Sequence, residues 1–187
     1  ILGATKLTGR LSSGTSLGLL GALTGEEFAR VADQQGTERS IRVAPRTFWS
    51  IARVEQEFGP STSSANVMVT AVHRDMSPGD PLASLLARNA FTVTGESLLR
   101  FRNGEYEVGL HGGMSYIDGD STAITRLQQS SVHYFQRPDA NHVVFDPTRR
   151  HLAGNQFVIR VERTSGRHWL WSTRFNSQSP GFETNDI

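Results

Sequence analysis

The chain has 187 residues, with 19 Lys and Arg against 18 Asp and Glu, a net charge of +1 and no cysteine. Mixed charge of this kind leaves no nucleic-acid footprint, and the missing cysteines exclude disulfides, thiolate metal sites and cysteine nucleophiles. No run approaches the ~18 consecutive apolar residues of a spanning helix, but a barrel strand alternates and averages to a mild hydropathy, so a membrane is not excluded.

Taken in order, Leu7, Gly9 and Leu11 alternate with Lys6, Thr8 and Arg10. Ser12-Ser13-Gly14 turns the chain, and Leu17, Leu19, Gly21 and Leu23 then alternate with Ser16, Gly18 and Ala22, which predicts a hairpin. Thr24-Gly25-Glu26-Glu27 has the form of a capping box and predicts a short helical turn before a long polar loop through Asp33 and Ser40. After a break at Pro45, Phe48, Ala52, Val54 and Phe58 oppose Arg53, Glu55 and Glu57. Past the turn near Gly59, Val67, Val69 and Ala71 alternate with Asn66, Met68 and Thr70. A second long loop follows Arg74, in which Asp80-Pro81 is placed to cap and start a short helix through Leu85 and Leu86.

The next hairpin has the clearest pattern. Phe91, Val93, Leu99 and Phe101 oppose Thr92, Thr94, Glu96, Arg100 and Arg102; Asn103-Gly104 is the turn; Tyr106, Val108, Leu110, Met114 and Tyr116 oppose Glu105, Glu107, His111 and Ser115. Asp118 to Arg150 reads as the longest loop. Finally Phe157, Ile159 and Val161 oppose Gln156, Arg160 and Glu162, Thr164-Ser165-Gly166 turns, and Trp169, Trp171, Thr173 and Phe175 oppose His168, Ser172, Arg174 and Asn176.

The expected fold is all-β: an antiparallel up-and-down meander of about eight strands, with short turns at one end and long loops at the other, forming part of a transmembrane β-barrel. A soluble β-sandwich also alternates and is the main competing architecture. Charge at mid-strand favours the barrel, with Lys6, Arg53, Glu96, Arg100, Glu107 and Arg160 expected to face a lumen and Phe91, Val93, Leu99, Val108, Leu110 and Ile159 to face lipid.

Three stretches carry a resemblance: Leu2-Gly3-Ala4-Thr5-Lys6-Leu7-Thr8-Gly9-Arg10 with Gly18-Leu19-Leu20; Arg126 to Ser131 with His133-Tyr134-Phe135-Gln136-Arg137-Pro138-Asp139; and Ser179-Pro180-Gly181-Phe182-Glu183-Thr184-Asn185-Asp186. Together they resemble the domain-of-unknown-function 5916 family, and the likeness covers essentially the whole chain. The resemblance implies a bacterial outer-membrane protein whose N-terminal part is similar to family 9 carbohydrate-binding modules and whose C-terminal part is a β-barrel. Residues 1–187 would then be a single middle segment of that barrel, truncated at both ends.

Candidate chemistry is sparse. The histidines at 73, 111, 133, 142, 151 and 168 form no helical metal-binding pair and no His-Glu-X-X-His motif, so no metal and no cofactor is expected. Asp118-Gly119-Asp120 lacks the remaining ligands of a calcium loop and reads as a polar turn. Glu105 and Glu107 read as cross-strand partners of Arg100 and Arg102 rather than as a glycosidase pair. No Gly-X-Ser-X-Gly elbow is present, so no catalytic residue is assigned and the segment leans away from being an enzyme. The long loop is the expected place of function. Arg126, Gln128, His133, Tyr134, Gln136, Arg137 and Asp139 are its candidate ligand-binding residues, suited to a carbohydrate or peptide; the competing reading, which ranks above ligand contact, is that Arg137 and Asp139 brace the loop itself as a plug or lid. Tyr134, Phe135 and Pro138 should anchor it over the barrel mouth, with Arg126, Arg137, Arg149 and Arg150 reaching Glu96 and Glu107. The expected role is channel- or receptor-like, in outer-membrane lipid and linked to carbohydrate or polymer handling. An outer-membrane-associated glycan hydrolase and a soluble lectin-like β-domain are the alternatives.

Overall fold

The computed structural model describes residues 1–184. Its strands are β1 (Gly3–Arg10), β2 (Thr15–Thr24), β3 (Glu27–Ala32), β4 (Glu38–Ala44), β5 (Thr47–Phe58), β6 (Ser63–Arg74), β7 (Asn89–Phe101), β8 (Tyr106–Asp118), β9 (His151–Arg163) and β10 (Trp171–Gln178). One helix, α1 (Ser121–Gln129), and a 3-10 turn over Pro81–Ser84 interrupt them. Eight strands form one antiparallel sheet in the order β1-β2-β5-β6-β7-β8-β9-β10, and β3 pairs with β4 in a separate two-stranded sheet. The large sheet is an up-and-down meander, as the alternation predicts. It does not close into a barrel: among the described residues β1 pairs with β2 alone and β10 with β9 alone.

Two expectations about local structure are corrected. The Thr24-Gly25-Glu26-Glu27 stretch leads into β3 rather than a helical turn, and the polar run after it is the turn of the β3–β4 hairpin. Asp33 closes that turn, its Oδ1 accepting from the backbone N–H groups of Gln35 (3.0 Å) and Thr37 (2.8 Å). The stretch from Asp118 to Arg150 is not all loop, because Asp120 caps α1 by accepting from the Thr122 N–H at 2.9 Å. The other cap is as predicted: the Asp80 side chain accepts from Leu82 N at 3.0 Å and Pro81 opens the 3-10 turn.

Register fixes which residues share a face. On one face Phe91 pairs with Tyr116, Val93 with Met114, Leu99 with Val108 and Phe101 with Tyr106. Leu7, Leu17, Leu19, Leu23, Phe48, Val54, Phe58, Val67, Phe157, Ile159, Trp171 and Phe175 continue that face across the neighbouring strands. Nothing among the described residues covers it: Leu7, Val67, Met114 and Phe175 are each more than half exposed. The opposite face carries Lys6, Arg53, Glu96, Arg100, Glu107 and Arg160.

The aromatic residues of the apolar face recur with a fixed spacing. Phe48 and Phe58, Phe91 and Phe101, and Tyr106 and Tyr116 are each ten positions apart (48 to 58, 91 to 101, 106 to 116). Aliphatic and small residues fill most of the interval, with Phe157 and Phe175 of the last two strands at mid-depth, so the face reads as an apolar band with aromatic residues concentrated at its rims. At ~3.4 Å per residue and a barrel-like tilt of ~40°, ten residues give a band of about 26 Å.

The core lies at one end of the polar face. The long connections, 25–46, 75–88 and 119–150, all leave from the same end of the sheet, and the short ones from the other. At the long-connection end the polar face turns apolar: Val72, Ala90 and Ile117 of the sheet are buried with Ala87 and with Ile124 of α1, and Trp49 and Leu127 pack against them. A second cluster buries Phe135, Ala140 and Val143 of the 119–150 connection on Leu152 of β9. The excursion is therefore a cap on one end of the polar face.

Candidate functional site

Below the cap, the polar face is an open trough with a volume of about 510 Å³, lined among others by Arg53, Asn66, Glu96, His111, Arg160 and Arg174. Its central rung is a hydrogen-bonded chain across β6, β7, β8 and β9. Asn66 Nδ2 donates to Glu96 Oε2 at 3.2 Å, the other Glu96 oxygen lies 3.0 Å from His111 Nδ1, and Gln156 Nε2 lies 2.6 Å from His111 Nε2. With the proton on Nδ1, His111 donates to the carboxylate and accepts from the Gln156 amide, so every group in the rung has a partner of the right kind.

Ion pairs brace the rest of the trough. Arg10 reaches Glu57 at 2.6 Å, Arg53 reaches Glu55 at 2.8 Å, Arg100 reaches Glu107 at 2.9 Å and Arg160 reaches Glu162 at 2.9 Å. Arg100 and Glu107 pair across the hairpin as the sequence predicts. Glu105 pairs with Arg163 of β9 at 2.6 Å instead of with Arg102, which lies in the left-handed turn (φ 49°) over the Tyr106 ring.

The cap is held by two buried constructions. Gln128 of α1 is fully buried, its Nε2 donating to the Asp146 carbonyl at 2.8 Å and its Oε1 accepting from the Asp146 N–H at 3.0 Å. It thus ties the helix to the far limb of the same excursion as a peptide group would. The second is His133, whose Nε2 lies 2.7 Å from Glu183 Oε2 and whose Nδ1 lies 2.7 Å from the Pro180 carbonyl. A carbonyl can only accept, so Nδ1 donates; a carboxylate accepts from Nε2 as well, and His133 stands as a buried imidazolium. The Glu183 hydrogen bond raises the His133 pKa above the ordinary histidine value, against the opposing effect of burial.

Glu183 reaches this position because the chain folds inward after β10. Ser179 still pairs with Asn155, and Pro180-Gly181-Phe182 then crosses Gly154. A Cβ on Gly154 would lie 2.1 Å from the Phe182 nitrogen, so only glycine admits the crossing. The Glu183 N–H then donates to Ser115 Oγ at 2.9 Å. Serine, histidine and glutamate meet here without forming a catalytic triad: both ring nitrogens are taken by Glu183 and Pro180, so neither can draw a proton from Ser115.

The loop residues expected to bind a ligand do not converge. Gln128 and His133 are buried and engaged within the chain. Gln136 donates to the Gln129 carbonyl at 3.2 Å, Arg137 is half-buried, and Arg126, Tyr134 and Asp139 are exposed. Of the three expected anchors only Phe135 is buried, with Tyr134 and Pro138 outside. Nor do the loop arginines reach Glu96 or Glu107. Arg149 lies over the Phe135 ring at 5.7 Å, and the Asp120 carboxyl, held below its ordinary value chiefly by its Thr122 hydrogen bonds, takes a smaller contribution from Arg150. Asp118 accepts from the Asn89 amide at 2.9 Å, and no group of metal-binding residues occurs among those described. The central rung and Glu183 were missed because each takes its meaning from strands or segments far apart in sequence.

The chain matches the family described as Domain of unknown function (DUF5916) over residues 1–187, and it belongs to that family. No curated protein and no solved structure matches it. Asn185 and Asp186, at the end of the third stretch of resemblance, lie outside the described residues.

Proposed function

We propose that this chain is a wall segment of a bacterial outer-membrane β-barrel, channel- or receptor-like, that handles carbohydrate or another polymeric nutrient. The observation that carries this reading is the uncovered apolar face. A mainly apolar band of about 26 Å with aromatic residues concentrated at both rims fits the ~25 Å lipid-facing belt of outer-membrane barrels, and in water an apolar patch of this extent would drive association. The opposite face, with its paired charges and amide–histidine rung, suits a hydrated lumen, and the cap narrows that lumen from the long-loop end. No helix among the described residues is long and apolar enough to cross a membrane. The reading requires the free edges of β1 and β10 to be paired by further strands, since lipid offers unpaired backbone groups no partner. The carbohydrate part of the proposal rests on the sugar-binding module implied by the family resemblance.

Fractionation of the full-length protein tests it. The expected result is recovery with the outer membrane, extraction by detergent alone, and a folded band on gels that shifts on heating. Recovery in the soluble periplasm without detergent would overturn the barrel.

A further inference from the structure

The charges of the polar face do not balance. Among the described residues its carboxylates are Glu55, Glu57, Glu96, Glu107 and Glu162, and each already holds a cation, a histidine or an amide within 3.2 Å. Arg174 has no such partner: it makes no ion pair and no side-chain hydrogen bond with a described residue. It also stands directly opposite Arg160 in the β9–β10 register. Like charges directly opposed across a strand pair are destabilising, and Arg160 is already turned to Glu162. Among the described residues the two opposed guanidiniums are matched by one carboxylate, Glu162, so this part of the trough carries excess positive charge.

We infer that the Arg160–Arg174 pair is the oxyanion-binding point of the trough, and that the polymer handled there is an acidic oligosaccharide. Both guanidiniums line the 510 Å³ trough together with Asn66, Glu96 and His111. Planar guanidiniums offer paired N–H groups matched to a carboxylate, sulfate or phosphate, so an anion bridging the two relieves their repulsion. One rung away, Asn66, Glu96 and His111 supply the fixed donors and acceptors that sugar hydroxyls require. The trough has the volume of a small-ligand site, ~300–1,000 Å³. The inference rests on the carbohydrate-handling reading above and narrows it to sugars that carry negative charge.

The test is calorimetric titration of the purified full-length protein with trigalacturonate, maltotriose and inorganic phosphate. Trigalacturonate is expected to bind, more weakly as salt rises, and at least tenfold more weakly to Arg174→Gln and Arg160→Gln; the other two probes should bind more weakly by a similar factor. Arg174 makes no ion pair or side-chain hydrogen bond with a described residue, so Arg174→Gln strands no described partner, and a folded gel band that shifts on heating shows for each variant that the barrel is intact. Equal or tighter binding of maltotriose would overturn the acidic specificity while leaving carbohydrate handling in place. Phosphate binding as tight as trigalacturonate would remove the sugar from the inference. Absent trigalacturonate binding, or binding unchanged in Arg174→Gln, would end it; the second result would mean that Arg174 serves a carboxylate on a strand beside β10. The barrel itself stands or falls by fractionation, independently of these titrations.

Discussion

Val67→Arg tests, at the deepest point of the apolar band, the proposal that this band faces lipid. Val67 lies on the apolar face, is 51% exposed, and pairs with Val54 on one side and Gly95 on the other. Gly95 is four positions from Phe91 and six from Phe101 (91 to 95, 95 to 101). At ~3.4 Å per residue and a tilt of ~40°, these separations put Val67 about 10 Å below one aromatic rim and about 16 Å from the other. That is within a few ångströms of the middle of a 26 Å band, where an arginine costs about 2–4 kcal/mol. Ala71 is the internal control. It is on the same strand and face but pairs with Phe91 at the rim, where an arginine costs about 0–1 kcal/mol. Urea unfolding of the full-length protein in lipid vesicles, followed by tryptophan fluorescence, should separate the two variants by about 2 kcal/mol or more. On a face exposed to water, both arginines would sit on a solvated surface, with effects of roughly 0.5 kcal/mol. Indistinguishable costs at 67 and 71 would refute the lipid-facing assignment of the strand.

Three further outcomes follow from the cap. The His133 pKa is raised chiefly by its hydrogen bond to Glu183, so the stabilisation is fully present below the unfolded histidine value of about 6.5 and is lost as pH rises through the higher folded value. Limited proteolysis of the 119–150 excursion should accelerate across that alkaline window and lose the pH dependence in His133→Gln; a rate independent of pH in the parent protein would count against the buried imidazolium. Replacing Gln128 with Leu removes both partners of Asp146 and should cost about 1–3 kcal/mol for each orphaned backbone group that water does not reach, with a neutral urea-unfolding result showing that the brace is dispensable. Deleting residues 129–146 removes the cap between two points that the Gln128–Asp146 contacts already hold together. If the cap narrows a pore, single-channel conductance in planar bilayers rises while the barrel remains heat-modifiable, and unchanged conductance from a folded deletion variant would remove the gating role.

The large sheet was legible because its signals are local. Alternation with period two fixes which side chains share a face, and Asn103-Gly104 or Ser12-Ser13-Gly14 fixes where the strand returns. The elements missed were those in which two local signals compete. Thr24 and Glu27 satisfy a capping-box spacing, but the helix periodicity that should follow is absent, and Asp33 instead supplies the turn of a hairpin. α1 did carry a signal: Asp120 followed by Ile124, Leu127 and Gln128 at helical spacing. Nine residues is short for a helix to hold by propensity alone, and α1 is held by burying Ile124 against Val72, Ala90 and Ile117, a contact no window of sequence displays.

The same distinction applies to the site. Arg126 to Asp139 looked like a binding surface because it is rich in amides, rings and guanidiniums, yet two of its most distinctive polar residues, Gln128 and His133, are buried. His133 meets Glu183 across fifty positions (133 to 183), so the second and third stretches that carry the family resemblance are two halves of one lock. A lock of this kind has a reason to exist if the cap must keep a single position. A buried ion pair contributes little net stability once desolvation is counted, but one orphaned partner is costly, so the pair disfavours every arrangement in which histidine and glutamate are apart. The cap is thereby held at one end of the trough, leaving the central rung and the Arg160–Arg174 pair open below it. The binding chemistry proposed here belongs to those sheet positions, where alternation made the charges visible but only register shows which of them lack a partner.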